Sequence, residues 1–166
     1  SNSADFGGGI YNLDSSPTLT NCTFENNTAN DGYGGGMDNY SSSSPTLIGC
    51  IFTKNTANVN GGGMNCNESI ATLENCTFTD NISIDDGAGA YFNSSDSVLT
   101  NCVFDSNSSI DEAGGLYLSF SDLVINHCTF TNNSGDYGGG MYCWSSNPAI
   151  TNCVFTNNIA TYGGGI

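Results

Sequence analysis

Apolar and polar positions alternate in short bursts along this chain, and one burst, Leu19 to Asn27, recurs throughout. Its first apolar slot reads Leu19, Leu47, Leu73, Leu99, Ile125, Ile150, and its aromatic slot reads Phe24, Phe52, Phe78, Phe104, Phe130, Phe155. A cysteine slot, Cys22, Cys50, Cys76, Cys102, Cys128 and Cys153, lies two residues before each Phe. A strand therefore turns Cys and Phe toward the same inward face. The residues between them, Thr23, Ile51, Thr77, Val103, Thr129 and Val154, are all β-branched and face outward. A period of two excludes helix.

The positions around the burst fill in a coil. Before each Cys stands Asn21, Gly49, Asn75, Asn101, His127 or Asn152, residue types that tolerate a positive φ, so the slot reads as a one-residue left-handed bend. On this reading His127, the chain's one histidine, fills a bend rather than a catalytic or metal site. Three residues after each Phe comes Asn27, Asn55, Asn81, Asn107, Asn133 or Asn158 without exception. Stacked at about 4.8 Å, such amides can donate to one another in a buried ladder. Glycine triplets or their degenerate forms start at Gly7, Gly34, Gly61, Gly87, Ala113, Gly138 and Gly163, in steps of 27, 27, 26, 26, 25 and 25 residues. An apolar residue follows each, Ile10, Met37, Met64, Ala90, Leu116, Met141 or Ile166, and opens another strand. Its inward partners are Asn12, Asn39, Cys66, Phe92, Leu118 and Cys143, while Tyr11, Tyr91, Tyr117 and Tyr142 point out. Serine-rich loops at Ser15 to Pro17, Ser41 to Pro45 and Ser94 to Ser97 absorb the drift in repeat length.

A fixed period of this length specifies a solenoid. The expected fold is all-β: a right-handed, single-stranded parallel β-helix of six coils, 25–27 residues and about three short strands per coil. It forms one domain, 1–166, that begins and ends within a coil. At one strand spacing per coil the rod is about 29 Å long.

Two punctuation marks, the Gly-Gly-Gly-apolar corner and Phe-x-x-Asn, are seen in Gly7-Gly8-Gly9-Ile10 with Phe24-Glu25-Asn26-Asn27, and in Gly138-Gly139-Gly140-Met141 with Phe155-Thr156-Asn157-Asn158. In these the chain resembles the repeats of polymorphic outer membrane proteins, which are surface adhesins of autotransporter type. The resemblance covers all six coils and implies a parallel β-helix displayed on a cell surface. At Gly87-Ala88-Gly89-Ala90 and Ala113-Gly114-Gly115-Leu116 the glycine requirement is relaxed, and these residues hold no β-barrel translocator.

Composition narrows the partners. One Lys, no Arg and 16 acidic residues give a net charge of -15, which repels nucleic acid and anionic lipid. No apolar run approaches the roughly 20 residues of a membrane span, so direct insertion is not expected. Charged residues are only 10% of the chain, and solubility rests on Asn, Ser, Thr and Gly, an extracellular style. The eight cysteines fit an oxidising compartment or a reduced core equally well. Vertical disulfides such as Cys22 with Cys50 and a reduced sulfur ladder both remain open. Cys66 and Cys143, three coils apart, are expected to be free thiols.

Candidate chemistry is sparse. Asp85, Asp111 and Asp136 recur two residues before consecutive triplets, with Asp86 and Glu112 beside the first two. Stacked carboxylates call for screening, protonation or a hard cation, and Ca²⁺ is the natural candidate; no cofactor is otherwise required. Asp96 and Asp122, at equivalent loop positions, are a candidate carboxylate pair for a polysaccharide hydrolase or lyase, against which stands their role as loop caps. Asn26, Asn67, Asn93 and Asn132 are the sequons expected to be exposed for glycosylation, whereas those at Asn81 and Asn107 belong to the buried ladder.

The reading that results is a non-enzymatic extracellular or cell-surface β-solenoid: stalk, adhesin or fibre subunit. Its expected partners are further coils, by end-to-end stacking into a filament or as flanking repeats of a longer chain, and carbohydrate or glycans along its aromatic positions. A carbohydrate-active β-helix enzyme is the alternative, and an ice-binding solenoid a weaker one.

Overall fold

The computed structural model describes all 166 residues, Ser1–Ile166. Every paired strand is parallel to its neighbours, and the strands fall into four sheets running along one rod. We call them by position. The front sheet stacks Ile10–Leu13, Met37–Tyr40, Met64–Asn67, Ala90–Asn93, Leu116–Ser119 and Met141–Trp144. The leucine sheet stacks Thr18–Thr20, Thr46–Ile48, Thr72–Glu74, Val98–Thr100, Val124–Asn126 and Ala149–Thr151. The phenylalanine sheet stacks Thr23–Glu25, Ile51–Thr53, Thr77–Thr79, Val103–Asp105, Thr129–Thr131 and Val154–Thr156. Each coil thus supplies three strands of three or four residues, as the sequence predicts, and most add a two-residue strand just after the ladder Asn. These short pieces, Ser3–Ala4, Thr28–Ala29, Thr56–Ala57, Ile82–Ser83 and Ser108–Ser109, form a corner sheet.

Register is in phase from coil to coil. Leu47 pairs with Leu73 and Phe52 with Phe78, so like residues stack on like. The six phenylalanine rings of the aromatic slot form one column with centroids 4.7–4.9 Å apart and interplanar angles of 3–8°. Such stacked pairs add about 0.5–1.5 kcal/mol each beyond the area they bury.

The asparagine column explains why its slot never varies. Asn81 Nδ2 donates to Asn107 Oδ1 at 2.9 Å and to the Phe52 carbonyl at 3.0 Å. Its Oδ1 accepts from both Nδ2 and the backbone N–H of Asn55, each at 3.0 Å. Both donors and both acceptor lone pairs of a buried amide are used, a pattern no other side chain of that size reproduces. Asn2 extends the column, its backbone and side-chain nitrogens both donating to Asn27 Oδ1 at 2.9 Å.

The cysteine column is reduced; all eight thiols are free. Cys76 Sγ reaches the Leu47 carbonyl of the preceding coil at 3.5 Å, and Cys102 Sγ reaches that of Leu73 at 3.7 Å. The small sulfur fills the space beside the bend and tethers consecutive coils without a covalent link.

Chain direction changes at left-handed residues. The bend expected before each Cys is present, with φ between 53° and 61° from Asn21 to Asn152. Two further columns of bends were hidden in mixed residue types: Asp14, Ser41, Glu68, Ser94, Phe120 and Ser145 close the front strands, and Asn26, Lys54, Asp80, Ser106, Asn132 and Asn157 close the phenylalanine strands. The serine loops are more ordered than length-absorbing insertions need be. Ser43, Ser69, Ser95 and Ser121 are buried, and the hydroxyls of Ser69 and Ser121 accept from the backbone N–H of the preceding coil's serine, Ser43 at 3.2 Å and Ser95 at 3.0 Å.

Candidate functional site

With the interior closed by its ladders, the polar and aromatic groups that remain unspent collect on the outer face of the front sheet. The outward slot of that sheet runs Tyr11, Asp38, Asn65, Tyr91, Tyr117, Tyr142 in register. Alongside it run the residues that precede each glycine triplet: Phe6, Tyr33, Asn60, Asp86, Glu112, Tyr137 and Tyr162. The first glycine of the triplet sets the angle between the two rows. Gly34 and Gly61 hold φ of 67° and 70°, and a Cβ there would strike the backbone of Met37 and Met64. The two rows lie side by side: Phe6 and Tyr33 share a hollow with Tyr11 and Asp38, and Tyr137 packs on Tyr142.

Two hollows open on this face. One, of about 290 Å³, is lined by Phe6, Tyr11, Tyr33, Asp38, Tyr40 and Asn67. The other, of about 230 Å³, is lined by Glu112, Tyr117, Tyr142 and Trp144. Asp38 is only 2% exposed, and burial raises its carboxyl to about 6, partly opposed by a hydrogen bond from Asn65 Nδ2 at 2.7 Å. Asn65 is itself 2% exposed, and its Oδ1 has no partner. Further along, burial and then repulsion from Glu112 raise Asp86 to about 7. The Tyr117 hydroxyl is pushed up by burial and by the facing Glu112 and Asp86.

The tyrosine stripe differs from an open stack. Tyr91 and Tyr117 stack at 4.9 Å, but Tyr142 is tilted by 51° against Tyr117 and also packs on Tyr137. Tyr117 keeps its outward slot but is only 5% exposed, flanked by the Tyr91 and Tyr142 rings and faced by Glu112, so it is not part of an exposed stripe. Phe120, at φ 47° and 56% exposed, packs against Trp144 at 5.1 Å.

Asp85, Asp111 and Asp136 lie exposed, whereas Asp86 and Glu112 are half-buried in the row before the triplets. No group of three or more His, Cys, Asp or Glu side chains comes together in a metal-holding arrangement. Asp96 and Asp122 cap loops: Asp96 Oδ1 accepts from the Asp122 N–H at 2.9 Å, and Asp122 Oδ1 from the Asn147 N–H at 2.6 Å. Of the four sequons, Asn26 and Asn132 are exposed in bends. Asn67 and Asn93 are half-buried and joined to each other at 3.0 Å, which corrects their expected exposure. His127 sits in its bend at φ 53°.

Comparison with curated proteins and with solved structures gives no match. A family model described as the right handed beta helix region matches residues 8–166, nearly the whole chain. With the parallel register and the end-to-end ladders, this shows that the chain belongs to the right-handed β-helix family.

Proposed function

We propose that this β-helix is a non-enzymatic extracellular or cell-surface rod, a stalk or adhesin segment, whose front face meets a partner. One observation carries the reading: the interior repeats the same side chains with the same hydrogen bonds in each coil, from Asn27 to Asn158. A catalytic constellation needs different groups converging at one place, and a repeated column supplies rigidity instead. The loop carboxylates that could have formed a glycosidase pair, Asp96 and Asp122, each hold a backbone amide of the next coil. The resemblance to polymorphic outer membrane protein repeats agrees with display at a surface.

The test is turnover. Purified chain incubated with neutral and acidic polysaccharides should release neither reducing ends nor unsaturated products. Release of either, abolished by Asp96→Asn or Asp38→Asn, would make the protein a carbohydrate-active enzyme.

A further inference from the structure

The larger front hollow has an unusual wall for an acidic chain. Phe6, Tyr11, Tyr33 and Tyr40 are 38–48% exposed, so each ring gives a large part of its surface to solvent rather than to packing. They come from two adjacent coils: Tyr11 is in register with Asp38, and Tyr40 lies two residues beyond Asp38 on the same strand. Phe6 and Tyr33, from the row before the triplets, stack on each other with centroids 6.2 Å apart and an interplanar angle of 26°. At the base is the buried carboxyl of Asp38, which receives one hydrogen bond, from Asn65. Nothing in the chain neutralises it, since the single Lys, Lys54, stands in a bend at the end of a phenylalanine-sheet strand.

Rings around a carboxylate attract one chemical class above others. Aromatic faces are negative and bind cations within about 6 Å, most strongly where water is excluded. A net charge of -15 raises the local concentration of any cation at such a cleft. A neutral sugar could lie on the same rings but would gain nothing from the charge and would leave the carboxylate unneutralised. A small metal ion would need several oxygen ligands, and only Asp38 supplies a carboxylate here.

We propose that Phe6, Tyr11, Tyr33 and Tyr40, closed at the base by Asp38, form an aromatic cage that binds an organic ammonium group. A quaternary ammonium or the ammonium end of a lysine side chain fits a hollow of about 290 Å³. Asn67, on the rim, is available to the remainder of the ligand. The inference rests on the reading of the front face as the contact surface and names what it contacts.

Titration of the full chain with choline chloride, followed by saturation-transfer NMR of the N-methyl protons, tests it. Choline should saturate, and its uncharged isostere 3,3-dimethylbutanol should bind at least about tenfold more weakly. Asp38→Asn should remove most of that preference; an amide already occupies the same slot one coil on, at Asn65, so the variant keeps the shape of the site. Tyr33→Ala, at an exposed position, gives a second variant that should also weaken choline about tenfold. Competition by Nα-acetyl-lysine amide supports the cage with a protein side chain as ligand, and choline binding without such competition supports it with a free quaternary ammonium. Equal binding of choline and its isostere, undiminished choline binding in both variants, or a neutral sugar bound where choline is not would overturn the proposal. Any of these results leaves the non-enzymatic reading intact, because that reading depends on polysaccharide turnover alone.

Discussion

Asn65 donates its Nδ2 to the Asp38 carboxylate of the preceding coil at 2.7 Å, while its own Oδ1 is buried without a donor. The pair sits on the outward slot of the front sheet, yet each residue is 2% exposed, and Tyr33 from the row before the triplets lines the same hollow as Asp38. Replacing Asn65 by Ala deletes the one hydrogen bond to a buried carboxylate. Urea denaturation at about pH 8 should show a loss of about 1 to 3 kcal/mol. Asp38→Asn, which removes the charge and keeps the shape, should be at least as stable as the parent at that pH.

Stability should rise as pH falls through the neutral range. Asp38 at about 6 and Asp86 at about 7 bind protons more readily in the folded chain than carboxylates do in an unfolded one. Between about pH 8 and pH 5 the folded state therefore takes up more protons than the unfolded state, and lowering pH favours folding. For Asp38 the whole effect is at most about 3 kcal/mol. Thermal melts across this window should show a higher Tm at the acid end, and the double variant Asp38→Asn, Asp86→Asn should flatten the profile. A Tm that climbs with pH would show that these carboxylates are solvated.

The ladder should be most sensitive in its middle. Asn81→Ala leaves the Asn55 N–H without its acceptor and the Asn107 ladder oxygen short of one donor, all fully buried. The expected cost is about 1 to 3 kcal/mol. Asn158→Ala, whose residue is half-buried, should cost less, and the difference between the two denaturation midpoints is the measurement.

Ala113 opens its triplet at φ 54°, where the other coils place Gly. A Cβ in the left-handed region costs about 1 to 2 kcal/mol, and glycine returns part of that as unfolded-state entropy. Ala113→Gly should therefore stabilise the protein by about 0.5 to 1 kcal/mol, read as a small upward shift in Tm.

Thiol reactivity should divide the cysteines. Cys50, Cys66, Cys76, Cys102 and Cys128 are buried, while Cys22, Cys143 and Cys153 are half-buried. Burial also pushes the Cys143 and Cys153 thiols above their ordinary value, which slows their reaction. A colourimetric thiol reagent should find no more than three accessible groups in the native protein and all eight in urea. A mass deficit from disulfides between successive coils would contradict the reduced column.

The sequence by itself determined the coil. Leu, Cys and Phe at fixed offsets name the inward face, and an asparagine that never varies names a buried amide whose four hydrogen-bonding positions must be met by copies of itself. Those rules are local in register and repeat six times, so period alone exposes them. The hollows of the front face were decided only in three dimensions. Phe6 and Tyr33 reach Tyr11 and Asp38 around a glycine corner, and neighbouring coils bring together residues 25 to 28 positions apart. Asp38, Asn65 and Tyr117 keep their outward places in the strand register, yet neighbours from adjacent coils and from the row before the triplets surround them, so they are buried without any sign in the pattern. The bends at Phe120 and Glu68 were hidden for a related reason: the stacked coils hold the backbone there, and the residue type need not.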